Sequence, residues 1–139
     1  MKKIALIFCV LISVSGCVIN PISQEEISTL KEIQALKLPA KKIVDPEKAR
    51  ELNTAPGLGN MYLAWHYPEE YSSQILPGLL YAAFWPMTIP LSKRLVYEDA
   101  EIINQRYTLN YYREGKGLNE LEQRKKDVEM MMRFDLWEK

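Results

Sequence analysis

The chain contains 139 residues, of which 47% are hydrophobic and 26% charged, so it is suited to one globular domain and is not a disordered polyelectrolyte. Its 18 Lys and Arg residues balance its 18 Asp and Glu residues. A zero net charge excludes nucleic-acid binding through a broad basic surface, so no nucleic-acid partner is expected.

The N-terminal residues 1–16 have the layout of a secretory signal peptide. Lys2 and Lys3 form a short positive region, and Ile4 to Ile12 form an uncharged apolar region. That apolar region is too short to cross a bilayer, which takes about 20 helical residues. Small residues follow it, as they do before a cleavage site. We therefore expect residues 1–16 to be removed.

The sequence Val14-Ser15-Gly16-Cys17 resembles the lipobox of bacterial lipoproteins. The resemblance implies cleavage between Gly16 and Cys17, a diacylglycerol on the Cys17 thiol, and an acyl chain such as palmitate on the freed amine. No cofactor is expected apart from these covalently attached lipids. The alternative is an ordinary secreted protein in which Cys17 lies near the cleavage site by chance.

Two or more acyl chains hold a protein stably on a membrane, whereas one chain binds only reversibly. The residue after Cys17 is Val18, not the Asp that tends to retain bacterial lipoproteins in the inner membrane. The sequence in this respect resembles lipoproteins sorted to the outer membrane. For a Gram-negative host, the expected location is the periplasmic side of the outer membrane, with membrane lipid as the first partner.

The mature chain is expected to form a lipidated tether over 17–22 and a single all-α domain over 23–139. Ser23 with Glu26 three residues later forms a capping-box pattern, which predicts a helix from about Gln24 to Lys37 that ends by Pro39. Asp45-Pro46 is a second start signal, and it predicts a short helix over Pro46–Leu52 capped by Asn53.

Two glycines after Pro56 invite comparison with a phosphate-binding loop. A third glycine, a Lys-Ser or Lys-Thr pair and a preceding strand are all missing from the pattern. The sequence therefore predicts a tight turn at Gly57 and Gly59 that leads into an apolar helix.

The central segment 71–92 carries no charge and is broken by proline and glycine. Pro77-Gly78 predicts a break before a short helix over about 79–85, and Pro86 to Pro90 predicts a turn. Either the segment is the core of a small helical domain, or it lies against the bilayer; three prolines disfavour a single span. Nearby aromatic residues favour a bilayer's interfacial zone: Trp65, Tyr67, Tyr71, Tyr81 and Trp85.

Two amphipathic helices are predicted at the C-terminus, over 93–113 with Ser92 as its cap and over 118–137. The first carries an apolar stripe of Val96, Ala100, Ile103, Tyr107 and Tyr111. Glu98, Glu101, Gln105 and Thr108 are expected to point away from this stripe. The acidic cluster Glu98, Asp99 and Glu101 is expected to be a solvated face rather than an acid–base or metal site. For Met130–Met132, core packing is favoured over an adaptable surface for a partner protein.

The residues offer no case for catalysis. His66 stands between Trp65 and Tyr67, where packing or interfacial contact is expected rather than zinc binding. With Cys9 removed and Cys17 acylated, the mature chain would hold no free thiol, disulfide or Cys-based metal site. We expect no enzyme activity and no metal.

The chain also resembles a group of uncharacterised small bacterial lipoproteins, over about half its length. The shared features are a Pro-Gly-x-Gly-Asn turn, an aromatic-rich stretch and a Trp-Pro pair, followed by Asp-Ala, Ile-Asn and Tyr-Tyr pairs. Here they are Pro56 to Asn60, Trp85-Pro86, Asp99-Ala100, Ile103-Asn104 and Tyr111-Tyr112. The glycine turn with Tyr62 is similar to TM2-type membrane domains, whose long spans this chain lacks.

These observations predict a lipid-anchored envelope lipoprotein with a structural or protein-interaction role, in which the C-terminal helix is available to an envelope protein. The alternative is a membrane-inserting or membrane-perturbing lipoprotein, for example phage-derived, that acts through 71–92. A weaker option is a carrier of apolar ligands that uses the same segment.

Overall fold

The computed structural model describes residues 19–80 and 87–137, and within them the chain forms helices and turns and no strand. The all-α expectation is confirmed. The helices are α1 (Gln24–Ala35), α2 (Pro46–Leu52), α3 (Leu58–His66), α4 (Pro68–Tyr71), α5 (Ile75–Leu80), α6 (Ile89–Arg113) and α7 (Leu118–Trp137), with a 3₁₀ turn over Ser72–Gln74.

The chain divides into two compact units. Among the described residues, the first contains 19–21, 44–80 and 87–103, and the second contains Ile22–Ile43 and 104–137. Helix α6 belongs to both units, since its residues 89–103 lie in the first and its residues 104–113 in the second. The sequence predicts a single domain, and this division was not expected from it.

The second unit is built on a small apolar core between α1, α6 and α7. Its buried residues are Ile33, Leu36, Leu109, Tyr112 and Leu121. Helix α1 begins with the predicted capping box: the Ser23 hydroxyl accepts from the Glu26 backbone N–H at 3.2 Å, and the Glu26 carboxylate accepts from the Ser23 N–H at 2.7 Å. The helix ends at Ala35, before Pro39, because Lys37 turns into the left-handed region with φ 56°.

Polar side chains of α6 hold the extended segment that follows α1. The Lys41 backbone N–H donates to the Thr108 hydroxyl at 3.0 Å, and the Tyr112 hydroxyl donates to the Pro39 carbonyl at 3.0 Å. Thr108 lies outside the predicted apolar stripe of α6, yet it is buried, at 2% exposure. Thr108 and Asn104 lie one turn apart, and both bond this segment, which needs partners for its backbone because it is not helical.

In the first unit, Asn53 connects the end of α2, the turn before α3 and the first turn of α6. Its side-chain oxygen accepts from the backbone N–H groups of Gly57 at 3.0 Å and Gly59 at 3.1 Å, and its Nδ2 donates to the Ser92 carbonyl at 3.1 Å. Gly57 has φ 87°, a conformation that glycine adopts without strain. The predicted bounds of α2 and the turn into α3 are confirmed.

The central segment differs from the prediction at both of its breaks. Helix α5 runs through Pro77-Gly78, since Pro77 lies in the first turn, where a backbone N–H has no helical partner to lose. Helix α6 begins at Ile89, with Pro90 second, so Ser92 lies inside the first turn rather than capping a helix at 93. The remainder of the predicted 79–85 helix, with Tyr81 and Trp85, falls outside the described residues.

The segment 71–92 is neither wholly buried nor wholly exposed. Tyr71, Gly78, Thr88 and Ser92 are buried, whereas Leu79, Met87 and Leu91 are exposed. In the part of the chain that the structure describes, no helix combines the length and the apolar character needed to cross a bilayer.

We predict that Asn53→Ala lowers the free energy of unfolding by about 2 kcal/mol or more, because it leaves two buried backbone N–H groups, those of Gly57 and Gly59, without partners. Denaturant unfolding followed by circular dichroism measures this change. Asn110→Ala, at an exposed position of α6, is the matched control and should change stability by less than about 0.5 kcal/mol. Similar losses in both variants would contradict this role for Asn53.

Candidate functional site

A chain of hydrogen bonds between three buried side chains lies at the centre of the first unit. Asn60 Nδ2 donates to the Tyr71 hydroxyl at 2.9 Å, and the Tyr71 hydroxyl donates to Asp99 Oδ2 at 2.8 Å. The three residues are 7%, 0% and 3% exposed. Burial this complete makes each of these hydrogen bonds costly to break, because the freed groups cannot turn to water.

Three helices bring these residues together. Asn60 lies on the buried side of α3 with Leu63 and Ala64, Tyr71 ends α4, and Asp99 lies on the buried side of α6. Gly78 of α5 packs directly on the Asn60 amide, since a Cβ at that glycine would lie 2.8 Å from the Asn60 Cβ. The amide is therefore fixed by the close approach of α5 as well as by Tyr71.

The N-terminal end of the described chain meets the same carboxylate. The Ile19 backbone N–H donates to Asp99, and the Ile19 side chain is only 5% exposed. Within the described residues, Oδ1 of Asp99 and Oδ1 of Asn60 have no hydrogen-bond partner. The carboxylate thus accepts hydrogen bonds from a hydroxyl and a backbone N–H, while its Oδ1 is buried without a partner among the described residues.

Burial raises the pKa of Asp99 to about 6, because removal from water penalises the charged form. The hydrogen bonds from Tyr71 and Ile19 favour the charged form and oppose this shift, and the charge of Glu98 adds slightly to it. Desolvation is the largest of these effects. The carboxyl therefore changes its charge as the pH passes through about 6.

The expected solvent-facing position of Asp99 was wrong. Of the three acidic residues considered together, Glu101 is exposed, Glu98 pairs with Arg94 at 2.7 Å, and Asp99 alone is buried. The sequence did contain a signal for this. Asp99 follows Val96 by three residues and precedes Ile103 by four, which places it on the apolar side of the helix.

The other sequence candidates lie elsewhere. Gly16 and Cys17 fall outside the described residues. His66 is exposed, its Nδ1 lies 2.9 Å from the Tyr62 carbonyl oxygen, and its ring centroid lies 4.5 Å from that of Tyr62. Among the described residues, no three His, Cys, Asp or Glu side chains are grouped so that they could hold a metal ion.

The prediction that Met130–Met132 pack in the core was wrong. The three side chains are 51%, 62% and 57% exposed. Leu121 of α7 belongs to the core of the second unit, and Val128, partly buried, packs against it. Three consecutive residues span more than half a turn, so a single packed face cannot cover all of them.

No protein-family model, curated protein or solved structure matches this chain.

We predict that the stability difference between the wild type and Asp99→Asn depends on pH. Because the folded-state pKa is raised, stability from Asp99 is fully present below its ordinary pKa of 3.8 and is lost as the pH rises through about 6. The advantage of the wild type over Asp99→Asn should fall by about 2 kcal/mol from about pH 4 to about pH 7. Denaturant unfolding at a series of pH values measures it.

Tyr71→Phe provides a second measurement on the same carboxyl. It removes the hydroxyl that favours the charged form, so the pH range over which stability is lost should move upward. A stability difference for Asp99→Asn that stays constant across the pH range would show that Asp99 is not the titrating group.

Proposed function

We propose that this protein is a lipid-anchored lipoprotein of the bacterial envelope, held through Cys17 on the periplasmic side of the outer membrane, with a structural or protein-interaction role. The observation that carries this proposal is the position of Ile19. Its side chain is buried in the first unit, and its backbone N–H is bonded to Asp99. The chain therefore enters a folded unit two residues after the proposed lipid anchor.

This geometry gives the anchor a defined effect. Two residues extend at most about 7 Å, so acyl chains on Cys17 would hold the first unit next to the bilayer rather than at the end of a long linker. Pro21 is exposed and Ile22 is half-buried, and α1 begins at Gln24. The proposed tether 17–22 is thus short, and Ile19 is part of a folded unit.

The buried polar residues support a structural role rather than a catalytic one. Asn60, Tyr71 and Asp99 bond one another and the chain's own N-terminal segment. At 7%, 0% and 3% exposure, they offer a substrate almost no surface. Their hydrogen bonds instead join α3, α4 and α6 to the residues that follow the proposed anchor.

The C-terminal helix supports the protein-interaction part of the proposal. Met130, Met131 and Met132 stand exposed on α7 beyond the packed core of the second unit. Methionine side chains are flexible and polarisable, and they adapt to partner surfaces. We propose that an envelope protein binds at this end of α7.

A second candidate function is membrane insertion through 71–92, and it has one observation in its favour: Leu79, Met87 and Leu91 are exposed at 45%, 89% and 48%. Tyr71 and Ser92 in the same segment are 0% and 1% exposed and form hydrogen bonds within the first unit. Insertion of the whole segment would break those bonds. Contact with the bilayer surface leaves them intact and is favoured for that reason.

The decisive experiment is the intact mass of the protein purified from bacterial membranes. We expect a chain that begins at Cys17 and carries a diacylglycerol and an amide-linked acyl chain. Cys17→Ser should abolish this modification, whereas Cys9→Ser, which alters the other cysteine within the leader, should leave it unchanged. A bare Cys17 thiol, or a leader still attached to the wild-type chain, would refute the proposal.

A further inference from the structure

Helix α3 carries apolar residues on two opposite sides. Gly59, Leu63 and Ala64 are buried in the first unit. On the other side, Leu58, Met61 and Trp65 follow one another at intervals of three and four residues, which places them on one face of the helix. They are 45%, 48% and 86% exposed. We call Leu58, Met61 and Trp65 the outer face of α3.

A neighbouring helix extends this apolar surface. The Leu79 side chain of α5 packs on Gly57, the residue before α3, with its Cδ2 2.8 Å from the position of a Cβ on that glycine. Leu79 is itself 45% exposed. An apolar surface therefore runs from Leu79 over the start of α3 to Trp65, and soluble proteins leave such surfaces uncovered mainly where they bind something.

We infer that the outer face of α3, together with Leu79, docks on the surface of the phospholipid bilayer that holds the acyl chains of Cys17. This inference rests on the proposed lipid anchor. The buried Ile19 belongs to the same unit as α3. The proposed anchor at Cys17, two residues earlier, would therefore hold this unit close to the membrane. The bilayer would thus be the apolar surface closest to the outer face of α3 for as long as the protein is anchored.

The chemistry of the face and its edge suits the membrane interface. Trp is enriched there because its ring is apolar and its indole N–H is polar, and Leu and Met bury readily among acyl chains. At the edge, Lys48 Nζ lies 5.3 Å from the centroid of the Tyr62 ring, next to Met61 in sequence. A cation at that position can pair with lipid phosphates while the apolar residues enter about 5–10 Å into the headgroup and acyl boundary.

The opposite side of the first unit supplies a matched control. Gly59 on the buried side of α3 packs on Val96 of α6, with the Val96 Cγ1 2.8 Å from the position of a Cβ on the glycine. Glu101 follows Val96 by five residues, which places it on the far side of α6, at about 140° around the helix. It is exposed, so a cysteine there can be labelled.

The test uses the membrane-purified lipoprotein with one added cysteine, Met61→Cys or Glu101→Cys, labelled with a polarity-sensitive fluorophore. Each protein is reconstituted into vesicles of phosphatidylethanolamine and phosphatidylglycerol, with and without brominated acyl chains. We expect bromine to quench the fluorophore at 61 at least about twofold more than the fluorophore at 101, since only the former would reach the acyl boundary. Equal quenching at both positions would overturn the inference.

Substitutions at Trp65 give a second measurement, which does not require the labelling efficiencies at positions 61 and 101 to be equal. In the Met61→Cys background, Trp65→Ser should remove most of the excess quenching, whereas Trp65→Phe should retain most of it. Because Trp65 is 86% exposed, neither variant disturbs the packing of the first unit. Unchanged quenching with Trp65→Ser would show that the tryptophan does not contact lipid.

The outcomes separate this inference from the proposed function. Acylated Cys17 with equal quenching at 61 and 101 retains the lipoprotein and rejects the docking face, and it would assign the face to a protein partner instead. Unacylated Cys17 rejects the lipoprotein. The quenching comparison, repeated with added vesicles and with Cys9 and Cys17 replaced by Ser so that only the added cysteine is labelled, still decides whether the face binds lipid.

Discussion

The carboxylate of Asp99 is the point on which the first unit depends. It accepts hydrogen bonds from the Tyr71 hydroxyl and the Ile19 backbone N–H, so it connects α6 with α4 and with the N-terminal segment. Through Tyr71 the connection continues to Asn60 of α3, on which Gly78 of α5 packs. A buried carboxylate costs free energy when charged, and that cost is the reason its pKa rises to about 6.

The first unit places polarity in an unusual way. Buried polar residues, among them Asn53, Asn60 and Asp99, fill part of its interior, while Trp65 and Met87 are more than 80% exposed. Short helices explain the buried polar residues, because each helix end leaves backbone groups that need partners. Asn53 supplies the partner of two such N–H groups, those of Gly57 and Gly59. The exposed apolar residues have no such explanation within the unit, and the proposed contact with a bilayer accounts for them.

The second unit follows the usual division between an apolar core and a polar surface. Ile33, Leu109 and Tyr112 are almost fully buried, and ion pairs such as that between Lys125 and Glu32 at 2.8 Å lie at the surface. Exposed pairs of this kind contribute little to stability, so the apolar core carries most of it. In the proposed lipoprotein, this unit supplies the scaffold for α7, and the first unit supplies the contact with the membrane.

Local signals in the sequence were enough to locate several elements. The capping box at Ser23, the Asp45-Pro46 start of α2, the turn at Gly57 and the extent of α7 each depend on neighbouring residues only, and the structure confirms them. The leader and the lipidation of Cys17 are also read from local sequence, and they stay predictions. Burial of Asp99, exposure of Met130–Met132 and continuation of α5 through Pro77-Gly78 were decided by the tertiary structure. Helical spacing places Asp99 on the apolar side of α6, but its hydrogen-bond partners Tyr71 and Ile19 come from distant parts of the chain, and spacing alone does not specify them.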